Sequence, residues 1–203
     1  MSTPDTTGPT VDLLARGLLG RVLHGHGVAV RITEVEAYGG IHDPASHAFT
    51  RTARSEIMYG DPWRLYVYRS YGIHLCANVV TGPTETASAV LVRAGEVVHG
   101  VECARQRRPA VKDVGLARGP GNLARALGLT LDDLGTDLLV DEGVRLGPTA
   151  ETVALSAGPR VGVSRAADVP WRFWITGDPT VSAYRRSPRA PSASPERGRS
   201  TEE

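Results

Sequence analysis

A carboxylate and an aromatic ring share one face of a predicted strand. Residues 28–38 are rich in β-branched side chains and follow a Gly-His-Gly turn at residues 25–27. This pattern predicts a strand that belongs to a hairpin, and the hairpin follows a helix. The two-residue period of a strand puts four side chains on one face: Ile32, Glu34, Glu36 and Tyr38. A carboxylate beside an aromatic surface can activate a water molecule next to a ligand that stacks on the ring. The pattern alone leaves Glu36 open as a catalytic base or an ordinary strand carboxylate, and it favours an exposed face or a structural ion pair for Glu34.

Aromatic residues are concentrated in the segment that follows this strand. Seven of the eleven aromatic side chains lie between positions 38 and 71: Tyr38, Phe49, Tyr59, Trp63, Tyr66, Tyr68 and Tyr71. Packing in the core is the better interpretation of Trp63 and Tyr66. Tyr71 differs, because it precedes Gly72 at a predicted hairpin tip and would point away from any core. An aromatic side chain at a tip favours a probe that wedges into stacked bases, which is how proteins displace a nucleotide from a duplex.

Several segments closely resemble the alkyladenine (3-methyladenine) DNA glycosylase family. They are residues 34–38, Ser46 with His47, residues 65–72 continuing to Asn78, residues 90–94, residues 119–123 and residues 160–163. The similarity runs in the family's order and covers the chain from about Leu13 to Ser182. It implies a base-excision repair enzyme that flips an alkylated or deaminated purine from damaged double-stranded DNA. The enzyme would then hydrolyse the N-glycosidic bond with an activated water and leave an abasic site.

The resemblance also implies a role for two charged residues in the chemical step. Glu36 matches the general base of the family, and Arg93 matches the arginine that helps to hold the nucleophilic water. Departure of the base leaves an oxocarbenium-like sugar, which a negative Glu36 would stabilise while it accepts the proton of the water. A cationic base needs no protonation to leave, whereas a neutral base needs an acid for which the sequence offers no candidate.

Five further residues match the base pocket of the family. Tyr38, His47 and Tyr68 match the side chains that sandwich the flipped base, and the backbone amide of His47 is expected to contact the base edge. Asn78 matches the pocket-floor residue that crowds out the amino group of guanine. Tyr71 matches the DNA-intercalating residue that fills the vacated stack from the minor groove.

The single lysine of the chain bears on the class of mechanism. Glycosylases that also cut the DNA strand use an amine to form a Schiff base with the sugar. Lys112 lies in a polar stretch away from the pocket segments, and the N-terminal amine is the only other candidate. The sequence therefore predicts a monofunctional enzyme with water as its nucleophile. No cofactor or metal is expected, because Cys76 and Cys103 lack the paired spacing of a metal site.

The predicted architecture is α+β, a single domain with a curved, mostly antiparallel β-sheet, flanking helices and a protruding β-hairpin that inserts into DNA. Predicted helices span residues 11–19, 96–107 and 122–127, and predicted strands span residues 28–38, 64–70, 73–80, 87–94, 160–164 and 171–176. Composition divides the chain into an N-terminal disordered tail at residues 1–10, a glycosylase domain at residues 11–184 and a disordered Arg/Pro/Ser-rich tail at residues 185–203.

The charge balance gives no general argument for nucleic-acid binding. The formal net charge is +1, so that contact with DNA would need a local basic patch. Arg64, Arg69 and the cluster of Arg105, Arg107 and Arg108 are candidates for phosphate contacts, although a solvated helix face is the commoner explanation of such a cluster. No apolar run approaches the ~20 residues that span a bilayer, and no secretion signal begins the chain. We therefore expect a cytoplasmic monomer that associates with the nucleoid when bound to DNA and has no membrane partner.

Two other functions remain open at this point. A non-catalytic binder of single-stranded nucleic acid could use the aromatics as a stacking surface, but it would not need Glu36 and would have a more basic body. A nucleoside hydrolase or formyl-group-handling domain of related architecture would not need an aromatic residue at position 71. Changing Tyr71 to Ser separates these functions, because only an enzyme acting on duplex DNA would lose its activity.

Overall fold

An eight-stranded antiparallel sheet is the framework of residues 10–140, 143–148 and 153–192, which the computed structural model describes. The strands are β1 Val22–Gly25, β2 Val28–Tyr38, β3 Leu65–Ser70, β4 His74–Thr81, β5 Ser88–His99, β6 Arg145–Leu146, β7 Leu155–Gly158 and β8 Arg172–Ile175. Six of them follow the order β3-β4-β5-β2-β1-β6, while β8 pairs with both β2 and β7. The α-helices are α1 Val11–Leu18, α2 Val101–Arg107 and α3 Pro120–Leu127.

Strand β2 is the centre of the sheet and the point at which the sheet curls. It pairs with β5 along most of its length, with β1 over residues 28–31 and with β8 over residues 34–36. The register with β5 shifts at Ala29/Val30, Ile32/Glu34 and Glu34/Val35. Such bulges bend a strand and increase its twist, so β2 can serve two partners on one edge.

The bulge in β2 between Ile32 and Glu34 also changes which residues share a face. Val30 and Ile32 before the shift and Val35 and Ala37 after it all belong to one core cluster. The prediction that Ile32 lies on the face of Glu36 is therefore wrong, because strict alternation breaks at the extra residue. The acidic face begins only after the bulge.

The helices cover the sheet and complete the core. Helix α1 packs against β2 and β5, α3 packs against β4 and β5, and α2 packs against α3. Helix α3 begins with Pro120 and is followed by Gly128 in the left-handed conformation, the usual residue types at the two ends of a helix. Its residues Leu123 and Leu127 are fully buried. The molecule is therefore a single α+β domain with a curled antiparallel sheet and flanking helices, as predicted.

Most predicted elements lie within two residues of the observed ones, and two predictions are wrong. Residues 96–99, predicted as the start of a helix, extend strand β5, because Glu96 pairs with Arg31 and His99 pairs with Ala29. The helix begins at Val101, after Gly100 with a φ of 71°. Residues 160–164, predicted as a strand, form a bend outside the sheet. The short strands β6 and β7 were not predicted.

The predicted tails fall partly outside the described residues. This applies to residues 1–9 and 193–203. Residues 185–192 of the predicted C-terminal tail are described and contact the domain. The Gly162 N–H donates to the Arg185 carbonyl at 2.9 Å, and Arg186 Nη1 lies 2.7 Å from Asp168 Oδ1. Within the described part of the chain, no helix combines the length and apolarity needed to cross a membrane.

Candidate active site

A cavity of about 750 Å³ opens at the end of the sheet beside the β3–β4 hairpin. Its walls come from β2, β3, β4, β5, the loop at residues 44–58 and the loop at residues 161–165. All seven residues that the sequence predicts for the site line this cavity: Glu36, Tyr38, His47, Tyr68, Tyr71, Asn78 and Arg93. The fold thus brings together side chains from four strands, one loop and the turn of the β3–β4 hairpin.

The Glu36 carboxylate is fully buried and is held by donors from three directions. Its Oε1 accepts a hydrogen bond from the Val161 backbone N–H at 2.7 Å and lies 3.3 Å from Arg93 Nη1. Its Oε2 accepts from the Tyr38 hydroxyl at 2.8 Å. Burial, followed by the charge of Glu36, raises the pKa of Tyr38 well above its usual value, so this hydroxyl stays protonated and donates. Both carboxylate oxygens are therefore fixed in position at the cavity wall.

A second buried carboxylate lies behind Glu36. Arg93 Nε donates to Glu34 Oε1 at 3.0 Å, and Arg172 Nη1 donates to the same oxygen at 2.9 Å. Burial lowers the pKa of Arg93, but the charges of Glu36 and Glu34 outweigh that effect and raise it overall. Arg93 is therefore a permanent cation shared by the two carboxylates. Glu34 forms a structural ion pair, one of the two interpretations that the sequence allowed, and is not on an exposed face.

The aromatic walls are themselves contacted by arginines. The Arg160 guanidinium lies 4.8 Å from the centre of the Tyr38 ring and is held by Asp43 at 2.5 and 3.0 Å. The Arg54 guanidinium lies 4.6 Å from the centre of the Tyr68 ring. Cations over ring faces attract the π-electrons and help to fix each ring in place.

His47 lies at the cavity wall between Tyr66 and Tyr68. Its Nδ1 is 3.1 Å from the Tyr66 hydroxyl, and its ring packs edge-on against Tyr68 with centres 4.6 Å apart. Burial and, after it, the charge of Arg54 lower the pKa of His47 to about 4. The imidazole is therefore neutral at physiological pH and keeps one nitrogen free of a proton. The His47 backbone N–H, expected to contact the base edge, has no acceptor among the described residues.

Asn78 and Tyr71 lie at opposite extremes of exposure. Asn78 is buried on β4, and its Nδ2 donates to the Tyr66 carbonyl at 3.0 Å, which fixes the orientation of the amide. Tyr71 is 91% exposed at the tip of the β3–β4 hairpin. Tyr71 and Gly72 have φ values of 48° and 71°, the signs of a type I′ turn, and the Ile73 N–H closes that turn on the Ser70 carbonyl at 3.0 Å. The predicted tight turn at positions 71 and 72 is confirmed.

Three parts of the site were not found by sequence reasoning. Arg54 lies in a loop without periodicity, where no pattern distinguishes it from other exposed arginines. The Val161 N–H that holds Glu36 belongs to the segment predicted as a strand, and a backbone donor leaves no trace in residue type. The pairing of Arg160 with Asp43 joins positions 117 residues apart.

The candidate phosphate-binding arginines divide into two groups. Arg64 lies 3.2 Å from Asp137, and Arg105 pairs with both Glu102 and Asp113. Arg107 donates to the carbonyls of Ala126 and His26, and Arg108 to those of Gly115 and Leu116. Arg69 is exposed on the hairpin strand β3 and has no carboxylate within 4.0 Å in the described part of the chain. Of the predicted candidates, Arg69 is therefore the one best able to bind an anion outside the protein.

Neither thiol takes part in a metal site or a disulfide within the described residues. Cys76 and Cys103 are both free; Cys76 is buried and Cys103 is half-buried. Cys76 lines the cavity, and burial raises the pKa of its thiol, which therefore stays protonated. The described residues contain no cluster of three or more His, Cys, Asp or Glu side chains that could hold a metal ion.

Known proteins with similar sequences agree on one family. The family model described as methylpurine-DNA glycosylase matches residues 5–179. A protein of Nocardia farcinica is 54% identical over 189 residues, covering 88% of this chain and 89% of its own length. Proteins of Mycobacterium leprae and Mycobacterium tuberculosis are each 53% identical over 186 residues, covering 88% of this chain and 86% and 91% of their own lengths. All three carry a provisional name as a 3-methyladenine DNA glycosylase.

Proposed function

Because the chain belongs to the methylpurine-DNA glycosylase family and is a DNA glycosylase of base-excision repair, we propose that Glu36 activates the water that releases an alkylated or deaminated purine from duplex DNA. The observation that carries this proposal is the buried Glu36 carboxylate, held by Val161, Arg93 and Tyr38 at the wall of an aromatic-lined cavity. The cavity volume lies within the ~300–1,000 Å³ of small-molecule sites, which suits a flipped nucleotide.

In the chemical step the bond between the sugar C1′ and the purine nitrogen breaks, and the electron pair leaves with the base. A water oxygen then forms the new bond to C1′, and its proton passes to Glu36. The negative carboxylate also stabilises the oxocarbenium-like sugar that develops as the base departs. Arg93, 3.3 Å from Glu36, would hold the same water, so that nucleophile and base are aligned before reaction.

The base would bind between Tyr38, His47 and Tyr68. An alkylated purine is often cationic, and stacking of a cation on an aromatic face contributes ~1 kcal/mol or more when it is desolvated. His47 contributes a neutral ring, because its pKa of about 4 keeps it uncharged and so avoids repulsion of a cationic base. Damage also weakens base pairing, which lowers a flipping cost of roughly a few kcal/mol. Selectivity then comes from two modest effects that act together.

Asn78 and Tyr71 would act on the two sides of the flipped nucleotide. The Asn78 amide is fixed by its bond to the Tyr66 carbonyl, so that it would crowd a substituent such as the amino group of guanine. Tyr71 would enter the duplex from the minor groove and occupy the gap that the flipped base leaves, which its exposure at a hairpin tip permits.

We further propose that the enzyme is monofunctional. Lys112 is the only lysine of the chain, is exposed, and does not line the cavity. A Schiff base with the sugar would need an amine at the cavity wall. With Glu36 as the general base, water is the nucleophile and the product is an abasic site.

A base-release panel tests the proposed function. Duplexes with methylated adenine, methylated guanine, hypoxanthine or ethenoadenine are incubated with the protein, and free base and strand breaks are measured separately. We expect release of methylated adenine with strand breaks only after alkaline treatment. Absence of release from every duplex would overturn the function, and breaks without alkali would overturn water as the nucleophile. Release from a free nucleoside but not from duplex DNA would instead support a nucleoside hydrolase.

A further inference from the structure

The C-terminal segment, residues 180–186, contacts strand β2, which carries Glu36, and the loop at residues 161–165, which donates a hydrogen bond to it. This segment crosses behind β2 after strand β8. At one end the hydroxyl of Thr180 lies 2.7 Å from the hydroxyl of Thr33, in a fully buried contact with β2. At the other end the Arg185 carbonyl accepts a hydrogen bond from the Gly162 N–H at 2.9 Å. The segment is therefore anchored to the strand that carries Glu36 and to the loop that caps it.

Ser182, in the middle of this segment, is bonded to the buried charge network. Its backbone N–H donates to Glu34 Oε2 at 2.8 Å, and its hydroxyl donates to Glu34 Oε1 at 3.0 Å. Arg93 Nη2 donates to the same hydroxyl at 3.3 Å. The Ser182 hydroxyl thus joins Glu34 to Arg93, the arginine that holds Glu36.

The orientation of Arg93 is fixed through its three guanidinium nitrogens. Its Nε is bonded to Glu34, its Nη1 lies 3.3 Å from Glu36, and its Nη2 is bonded to Ser182. A planar guanidinium with all three nitrogens engaged has a single orientation. Loss of the Nη2 contact leaves it held only at Nε and Nη1, so that rotation of the group about the Cδ–Nε bond is opposed by one contact fewer. Since Nη1 faces Glu36, such a rotation changes the donor set around the carboxylate.

The segment acts on the opposite side of Glu36 through the loop at residues 161–165. Val161 donates its N–H to Glu36, and the next residue, Gly162, donates to the Arg185 carbonyl. Arg186 adds an ion pair with Asp168 just beyond that loop. Two of the three donors to Glu36 are thus supported by the same seven residues.

We propose that Ser182 is a positioning residue for base release. The C-terminal segment holds Arg93 and the Val161 N–H in the positions from which they contact the Glu36 carboxylate. This proposal rests on the proposed function of Glu36. Ser182 lies behind Arg93 and does not line the cavity, so it acts on the reaction through Arg93 and not by contact with DNA. Its loss should slow base release without weakening the binding of damaged DNA.

The test compares Ser182→Ala with Ser182→Thr in the full chain, and uses Ser187→Ala as a matched control. Ser187 lies five residues further on, and its hydroxyl accepts only from the Arg189 N–H among the described residues. The single-turnover rate of base release from damaged duplex should fall about tenfold in Ser182→Ala, less than the ~100-fold that a 1 Å misplacement can cost. The Kd for the duplex should be unchanged. Ser182→Thr, which keeps the hydroxyl, should restore the rate, and Ser187→Ala should match the wild type.

A second readout follows the arginine itself. The Nε–H signal of Arg93 in a nitrogen NMR spectrum, assigned from its loss in Arg93→Lys, should move in Ser182→Ala and stay in place in Ser187→Ala. Should Ser182→Ala fold poorly, Ser182→Cys keeps a γ atom but bonds weakly, and the same rate loss is expected. A wild-type rate in folded Ser182→Ala or Ser182→Cys overturns the proposal while the proposed function stands. A wild-type protein that releases no base overturns the proposed function, and the role of Ser182 in release with it.

Discussion

Glu36 differs from the neighbouring carboxylate on its strand in lining the cavity, not in the number of donors that bind it. Glu34 lies two positions earlier on β2, yet its oxygens are occupied by two arginines and Ser182 behind the cavity. Glu36 instead shares the cavity wall with Tyr38 and Arg93. A buried ion pair of this kind is weak support for stability, since desolvation offsets much of the attraction. Its arrangement at an open cavity is better explained by the chemistry it allows.

The ionisation of His47 gives a prediction about pH. The unfolded chain takes up the His47 proton near pH 6.5, whereas the folded protein takes it up only near pH 4. Stability therefore falls as the pH is lowered through this window, because the unfolded state binds the proton first. We expect His47→Gln to lose less thermal stability than the wild type on acidification, as measured by Tm. His99→Gln, which changes an exposed histidine outside the cavity, is the control.

The same histidine can be titrated directly. Its proton NMR signals should show a midpoint near pH 4 in the wild type. Arg54→Gln should move this midpoint upward, because the charge of Arg54 is the second cause of the depressed pKa after burial. A wild-type midpoint near pH 6.5 would show that His47 is not shielded as the geometry indicates.

Residue identities in the site could be predicted from the sequence, but the contacts among them could not. The seven predicted residues lie in segments that resemble one family, and all line one cavity. The donors that fix them join distant positions, however: Val161 is 125 residues from Glu36, and Ser182 is 148 residues from Glu34. A single sequence carries no signal of contacts at such separation, least of all when the donor is a backbone N–H.

Among the helices and strands, a prediction is confirmed where the local sequence pattern matches the surroundings of those residues in the fold. Strand β2 matches residues 28–38, because its β-branched residues favour a strand. Residues 96–99 were predicted as the first turn of a helix that runs to residue 107, but they form the exposed end of β5 and pair with β2. Residues 160–164 have strand-like composition, but Arg160 bonds to Asp43 and Val161 to Glu36 instead of to a neighbouring strand.

The β3–β4 hairpin has a turn residue that is unfavourable for stability. Tyr71 occupies the left-handed region with a φ of 48°, where Asn or Gly is preferred in a type I′ turn. Tyr71→Asn should therefore raise the free energy of unfolding by about 1 kcal/mol. The same change should lower base release from duplex DNA by about tenfold or more, since nothing fills the vacated stack.

The control for the hairpin prediction is a single-stranded substrate. Release from a damaged single strand should be unaffected in Tyr71→Asn, because no stack needs to be filled, and Tyr71→Phe should resemble the wild type on both substrates. An equal loss on duplex and single strand would place Tyr71 in base binding and not in intercalation.

At the scale of the whole molecule, net charge gives little attraction to DNA. With a formal charge of +1, binding must depend on local arginines that lack a carboxylate partner. Arg69 meets this condition among the described residues and lies on the hairpin that carries Tyr71, whereas Arg105 is paired with Glu102 and Asp113.

The salt dependence of binding tests this distinction. Arg69→Ala should reduce the slope of log Kd against log salt concentration by about 1, the change expected on loss of one phosphate contact. Arg105→Ala should leave the slope as it is, since its guanidinium is already neutralised. Equal slopes for Arg69→Ala and the wild type would exclude Arg69 from the DNA interface.

The role of Glu36 is tested by the single-turnover rate of base release in Glu36→Gln, measured with the Kd for the same damaged duplex. Loss of the general base should slow release by about 100-fold or more, while the isosteric amide leaves binding intact. Glu96→Gln, which changes an exposed glutamate paired with Arg31 on the same sheet, should behave as the wild type. An undiminished rate of release in Glu36→Gln would contradict the role of Glu36 in activating water.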